Sequence, residues 1–260
     1  MADSAADGVS VTFVGHASVA LELGGLTVIT APVLTMRLKH LRRVGAPPAE
    51  FDPGSVDIVL LSHQHHDHLH VPSLRLLPRS AHLVVARGVR PVVERLGFEQ
   101  VTEVAVGDVV IHDDPAGGEA VAITAVPAVH DDRRHPGRQR VRPIGFLIES
   151  GGWSGYFPGD TAIYDDMAGL APALDLALIP VWGWGPTLGG GHLDPVGAAD
   201  ALGLLGARQA IPIHWGTLWP YHVRLNDRLV LPPKELVSAV GERGIETDVI
   251  EIAPGTSITL

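Results

Sequence analysis

The sequence predicts an α/β protein built on two sheets covered by helices. Three observations carry this: strand-like runs outnumber helical ones, the helical patterns fall between strands in both halves, and Gly and Pro punctuate short apolar runs throughout. At 260 residues, with 30 Gly, 21 Pro, few aromatics and no break in composition, residues 1–260 are expected to form one domain. Residues 1–8 read as a mobile lead.

The elements follow in order. VSVTFVGHASVALELGGLTVIT reads as three strands turning at Gly15–Ser18 and at Gly24–Gly25, and a loop rich in Pro and Arg then runs to Pro53. DIVLLS and HLVVA have the length of buried strands, and GVRPVVERLG, bounded by glycines, reads as a helix. Two or three antiparallel strands are expected between Val101 and Ala128, then a polar loop HDDRRHPGRQRVR, then a pair PIGFLIES and WSGYFPGD turning at Gly151–Gly152. LDLALIPV is a buried strand, and DPVGAADALGLLG is a helix with Asp194 as N-cap and Pro195 at its first position. RQAIPIHW is a strand, PPKELVSAVGERG a helix, and two short strands close the chain. No fixed-period repeat is present.

Charge and composition narrow the function. The formal charge of −10 argues against nucleic acid or an anionic membrane as partner. No run approaches a membrane span, and MADSAADGVS carries neither a basic nor an apolar leader segment, so a cytoplasmic protein with a small-molecule substrate is expected. The chain has no cysteine, so any metal must be held by imidazole and carboxylate. Oligomeric state is not legible.

Chemistry concentrates in SHQHHDHLH, which packs five histidines and one aspartate into nine residues directly after an apolar strand. At a strand end His63 and His65 share a face, with Cα atoms about 6.6 Å apart, close enough for both imidazoles to reach one ion. Gln64 and His66 then face away. A turn after them would aim Asp67 and His68 at a neighbouring point, so the spacing offers ligands for two metals. His130, Asp160 and His214 each end a later apolar strand, where sites on layered α/β folds collect.

These residues resemble the metallo-β-lactamase superfamily: HxHxDH at His63, His65, Asp67 and His68, then a single His, a GD and a late His. The resemblance spans most of the chain, from VTFVGHASV through IPIHWGT. It implies a four-layer αβ/βα sandwich with the active site along the open edge between its sheets. It also implies a sharing of ligands, with His63, His65 and His130 on one ion, Asp67, His68 and His214 on the other, and Asp160 bridging. GHASVALEL, GDTAIY and GGGHLDPVGAADAL are similar to the branch that contains N-acylphosphatidylethanolamine-hydrolysing phospholipase D and L-ascorbate-6-phosphate lactonase. There His192 matches a histidine near the substrate, so Asp67 and His192 are the candidate catalytic residues. One position departs: relatives carry TDP where this chain reads TAP, with Ala31 in place of a carboxylate that supports the ligand shell.

The expected activity is that of a dinuclear metal-dependent hydrolase in which a hydroxide bridging two divalent cations about 3.5–4 Å apart is the nucleophile. Zinc is the expected metal, and the same donors accept manganese or iron. Two segments hold nine of the 19 basic residues: Arg37, Lys39, Arg42 and Arg43, then Arg133, Arg134, Arg138, Arg140 and Arg142. Four of the five Trp fall between Trp182 and Trp219. Basic loops suit an anion and aromatic loops an apolar group, so phosphodiesters are the expected substrates. Lactones are the nearest alternative, and a metal-binding protein with catalysis weakened by Ala31 is the other.

Overall fold

The structure, a computed structural model, describes residues 8–45, 51–132 and 140–260. The expected mobile lead lies, up to residue 7, outside the described residues, as do Arg133, Arg134 and Arg138.

The chain opens with an antiparallel meander, β1 (Ser10–Gly15), β2 (Ser18–Leu23) and β3 (Leu26–Thr30). A short hairpin follows, β4 (Arg37–Leu38) and β5 (Leu41–Arg43). β6 (Ile58–Leu61) then lies parallel to β3, with Val28 opposite Ile58. After α1 (Val71–Leu74) come β7 (His82–Ala86), α2 (Arg90–Val93) and β8 (Gln100–Val104), both strands in parallel register. A second antiparallel run is made of β9 (Val109–His112), β10 (Val121–Pro127), β11 (Ile144–Ser150) and β12 (Trp153–Phe157). β13 (Leu176–Pro180), α3 (Pro195–Leu205) and β14 (Gln209–Ile213) form a parallel crossover unit. β15 (Leu218–Pro220) pairs with β5. α4 (Pro232–Arg243), β16 (Asp248–Val249) and β17 (Thr256–Thr259) complete the chain.

Two seven-stranded sheets result, ordered β17-β1-β2-β3-β6-β7-β8 and β16-β14-β13-β12-β11-β10-β9. The β6 and β13 sequences IVLL and LALIP are buried at every position, as strands covered on both faces must be. Phe13, Ile58, Leu60, Phe146 and Phe157 belong to one core cluster that joins the two sheets. A second cluster seats α3 and α4 on the outer face of the second sheet through Ala198, Leu202, Leu236 and Val240. α3 begins as its sequence implies: the Asp194 carboxylate accepts from Gly197 N at 2.7 Å, Pro195 follows, and Gly206 ends the helix at φ 61°. The layers are those of the expected sandwich, although over the first sheet the helical layer is thin, α1 and α2 having four residues each.

Two expectations are corrected. β8, expected to pair antiparallel with its successors, joins the first sheet parallel to β7, because α2 makes the connection a crossover rather than a hairpin. The Arg-rich loop after β3 carries β4 and β5, which pair with β15 in a third, three-stranded sheet. Strands of two or three residues have no readable periodicity, and their partner lies far along the chain.

Candidate metal centre

β6 ends at Leu61, so His63 and His65 stand just past the strand, and the chain turns at once, with the N–H of both His68 and Leu69 bonded to His65 O at 3.1 and 2.7 Å. That turn brings the His63 and His65 rings to 4.7 Å and the His63 and His68 rings to 4.2 Å. Gln64 faces away, donating to Asp132 O at 2.9 Å. His66, expected to face away as well, instead lines the cavity above the cluster, because the turn rotates it off the strand's alternation.

The remaining candidates arrive on the ends of β10, β12 and β14. Gly159 takes φ 64°, and a Cβ there would meet Ser62 Oγ at 2.4 Å, so only glycine lets the two loops close beside His63. Thr161 Oγ accepts from Val129 N at 3.0 Å, tying the Asp160 loop to the His130 loop. Asp160 is the centre of the arrangement. Its Oδ2 lies 3.7 Å from His63 Nε2, 3.6 Å from His130 Nε2, 3.1 Å from His68 Nε2 and 3.4 Å from His192 Nε2. Its Oδ1 lies 3.1 Å from His214 Nε2. His65 joins through Nδ1, 2.9 Å from His130 Nε2. The structure thus brings together His63, His65, Asp67, His68, His130, Asp160, His192 and His214.

One residue of the cluster escaped sequence reasoning. His16, in the tight connection between β1 and β2, is fully buried, with Nε2 3.0 Å from Asp67 Oδ2 and its ring 3.9 Å from that of His214. The signal was present in GHAS, where glycine and histidine interrupt an apolar strand pair, but nothing local distinguished this histidine from the other 13. The donor atoms divide into two groups whose members lie within 4.8 Å of one another: His63, His65, His130 and Asp160, and His16, Asp67, His68 and His214.

Except at His214, the pKa shifts of the candidate ligands favour the protonation states that a cation requires of them. Burial alone would raise both carboxyls, but His214 and His68 around Asp160, and hydrogen bonds from His16 and His214 to Asp67, hold both well below the usual range. Burial and neighbouring imidazoles keep His63 neutral and push His130 to about 4 and His16 to about 3. Burial also opposes charge on His214, yet Asp160 and Asp67 raise it to about 9, a proton that a bound cation would displace. Four buried atoms of the cluster, His16 Nδ1, His63 Nε2, His68 Nδ1 and Asp160 Oδ1, have no hydrogen-bond partner, although Asp160 Oδ1 lies 3.1 Å from His214 Nε2. Imidazole and carboxylate donors with unspent lone pairs fit divalent cations.

Most of the imidazoles are braced from behind. His63 Nδ1 meets Ser62 Oγ at 3.0 Å, His130 Nδ1 meets Gly191 O at 2.7 Å, and His214 Nδ1 meets Trp182 O at 3.0 Å. His68 Nδ1 is buried without a partner.

A cavity of about 300 Å³ opens onto the cluster, lined by Leu38, Lys39, His40 and Leu41 opposite Trp184 and His192. The His40 ring meets Trp184 edge-on at 5.1 Å, and Lys39 sits at the hairpin tip with φ 50°. The expectation that the Trp residues as a group line a pocket is corrected. Trp219 is buried in the small sheet, Trp215 packs on Phe13 and Trp182 lies under Arg228. The first basic segment is likewise mostly structural: Arg37 stacks on Tyr221, and Arg43 is buried against Val14 O and Val33 O. Arg140 and Arg142 line an open hollow beside His130. Among the described residues no helix is long and apolar enough to cross a membrane.

Comparison with known proteins agrees with this fold. Residues 27–215 match the family described as the beta-lactamase superfamily domain. The chain is 30% identical over 253 residues to a metal-dependent hydrolase of Methanopyrus kandleri, covering 95% of this chain and 98% of the relative. It is 28% identical to an N-acyl-phosphatidylethanolamine-hydrolyzing phospholipase D of Caenorhabditis elegans, covering 89% of this chain and 70% of that one. Among solved structures, the metallo hydrolase Igni18 of Ignicoccus hospitalis superposes with a TM-score of 0.73 at 23% identity, over 97% of this chain and 98% of that chain. The protein is therefore a member of the beta-lactamase superfamily, within its metal-dependent hydrolases.

Proposed function

We propose that the cluster holds two divalent cations, zinc in the first instance, and that the protein hydrolyses small phosphodiesters bearing an apolar group. His63, His65 and His130 would hold one ion, Asp67, His68 and His214 the other, with Asp160 shared. The observation that carries this is the central place of Asp160, whose Oδ2 lies 3.7 and 3.6 Å from His63 and His130 of one group and 3.1 Å from His68 of the other, while its Oδ1 faces His214. Such a pair of cations supplies Lewis acidity and lowers the pKa of a coordinated water towards neutrality.

The chain's own residues supply the rest. His192 Nε2 reaches into the cluster from the α3 entry loop and is positioned to hold a substrate oxygen or return a proton to a leaving group. Leu38, Leu41 and Trp184 exclude water from the approach and offer an apolar wall, while Lys39 adds a cation at the rim. That mixture supports an anionic ester with an apolar arm. The C. elegans relative, by its name a phospholipase acting on such an ester, points the same way.

The test is elemental analysis of gently purified protein beside turnover of bis(p-nitrophenyl) phosphate and of a lactone panel, with and without added zinc or manganese. About two ions per chain with phosphodiester turnover is the expected result. Lactone turnover alone would replace the substrate class and leave the metal reading standing. One ion or none, without rescue, would favour the weakened site that Ala31 and the unpartnered His68 Nδ1 suggest.

A further inference from the structure

We infer that His16 is the positioning residue of Asp67: its Nε2–H fixes the carboxylate that serves the second ion, without itself being a ligand. The inference rests on the metal reading above and adds a residue to it.

His16 is built into place from several sides. Gly15, at φ 124°, leaves no room for a side chain, since a Cβ would meet Thr217 Oγ1 and Arg43 Nη1 at 2.8 Å each. The next residue, His16, takes φ 60°, a left-handed conformation that is unfavourable for a residue other than glycine. Its N–H donates to Thr217 Oγ1 at 2.8 Å, and its carbonyl accepts from His214 N at 2.7 Å. His214 is itself left-handed at φ 64°. The backbone of one candidate ligand is therefore bonded to His16, and the side chain of another, Asp67, is bonded to its ring. A residue placed only to fill the core would require neither bond.

The two ring nitrogens decide between ligand and positioner. An imidazole that binds a cation through Nε2 carries its proton on Nδ1, and a buried N–H requires an acceptor. His130 and His214 satisfy this through Gly191 O and Trp182 O, and His68, whose Nδ1 also lacks a partner, sets its Nε2 3.1 Å from both Asp160 Oδ2 and His214 Nε2 inside the donor cluster. His16 Nδ1 is buried with no partner at all. A bare lone pair is tolerated there more readily than a bare N–H, so the ring carries its proton on Nε2 and donates it to Asp67 Oδ2. In that tautomer Nε2 has no lone pair for a metal.

The experiment compares His16→Ala with His16→Gln, whose amide nitrogen stands the same number of bonds from Cβ as Nε2. Each variant is stripped with chelator, its melting recorded, then titrated with zinc and with cobalt followed by absorption. Wild type must first take up two ions, since uptake of fewer would sink the metal reading whatever His16 does. His16→Ala is expected to weaken the second ion about 10–100-fold while the first is retained. His16→Gln is expected to restore it, with a cobalt spectrum like wild type because the ligand set is unchanged. Should His16→Ala not fold, His16→Asn replaces it, since its amide tolerates the left-handed backbone but stops short of Asp67. Two results overturn the inference: His16→Gln losing the second ion or changing the cobalt spectrum, as a lost ligand would, and the short variants binding both ions with wild-type affinity.

Discussion

His192 Nε2 lies 3.4 Å from Asp160 Oδ2, while its Nδ1 faces the carbonyls of Gly189 and Gly190 at 3.2 Å each. The ring is braced by two carbonyls on one side and reaches the shared carboxylate with the other, yet its side chain is 21% exposed where those of His63 and His214 are 1% exposed. This imidazole both touches Asp160 and lines the cavity. Replacing it by Ala is expected to lower kcat for bis(p-nitrophenyl) phosphate by about 10²–10⁴-fold, the range for a lost acid or base. Metal content should stay at the wild-type value. Elemental analysis beside steady-state kinetics checks both, and loss of an ion from the variant would show that His192 is a ligand instead.

Trp184 forms the apolar wall opposite the β4–β5 hairpin and is held edge-on by His40. The hairpin is not free to retreat, because Tyr221 N donates to His40 O at 3.0 Å and Arg37 stacks on Tyr221. An aryl group on the substrate should therefore gain a fixed aromatic partner. Trp184→Ala is expected to raise KM for the aryl diester about 5–10-fold with kcat nearly unchanged, the signature of uniform binding lost. For methyl p-nitrophenyl phosphate, which has one aryl arm fewer, the KM ratio should be smaller if the second arm is the one that stacks. Equal ratios would place the second aryl arm elsewhere.

How much of this was legible in the sequence depends on the distance over which each signal acts. The HxHxDH run, His130, Asp160 and His214 could be read because each sits at the end of an apolar strand, and strand ends converge in a layered fold. His16 could not, since its role depends on Asp67 and Thr217, which only folding brings to it. The basic and aromatic segments misled for a related reason. Arg43 and Trp219 lie in strands of the small sheet, so they point into its packing rather than at the site. Composition gave their neighbourhood but not their direction.

Away from the site, His82 and His112 face each other across the two sheets with ring centroids 4.8 Å apart, His82 Nε2 bonding Thr102 Oγ1 at 2.7 Å. Burial, and then the charge of His82, push His112 from its ordinary 6.5 down to about 4. The unfolded chain therefore binds a proton at this residue between about pH 6.5 and 4 where the folded chain does not. Stability from this residue is complete above pH 6.5 and is lost as pH falls towards 4. Melting of chelator-treated wild type and His112→Gln, compared from pH 7.5 downwards, is expected to show the wild-type advantage shrinking below about pH 6.5. An advantage constant across that range would remove His112 from the acid response.

Ala31 stands where the superfamily resemblance implies an Asp. It is fully buried at the end of β3, with φ 34°, its N–H bonded to Leu60 O at 2.9 Å and its carbonyl accepting from Ser18 Oγ at 2.8 Å. A left-handed backbone suits Asp better than Ala, because the short polar side chain bonds locally. The same bonded chain leads on to a cation: Val33 N donates to Ser18 Oγ, and Val33 O accepts from the buried Arg43, which has no carboxylate partner among the described residues. Meanwhile His68 Nδ1 has no acceptor. A carboxylate at 31 would thus stand on the same bonded chain as a buried guanidinium, so its own burial is partly offset. Ala31→Asp is expected to tighten metal binding about 10–100-fold and to raise turnover at limiting zinc. Competition titration with a chromophoric chelator measures this directly, and superimposable curves for the two proteins would show that the native site does not depend on a carboxylate there.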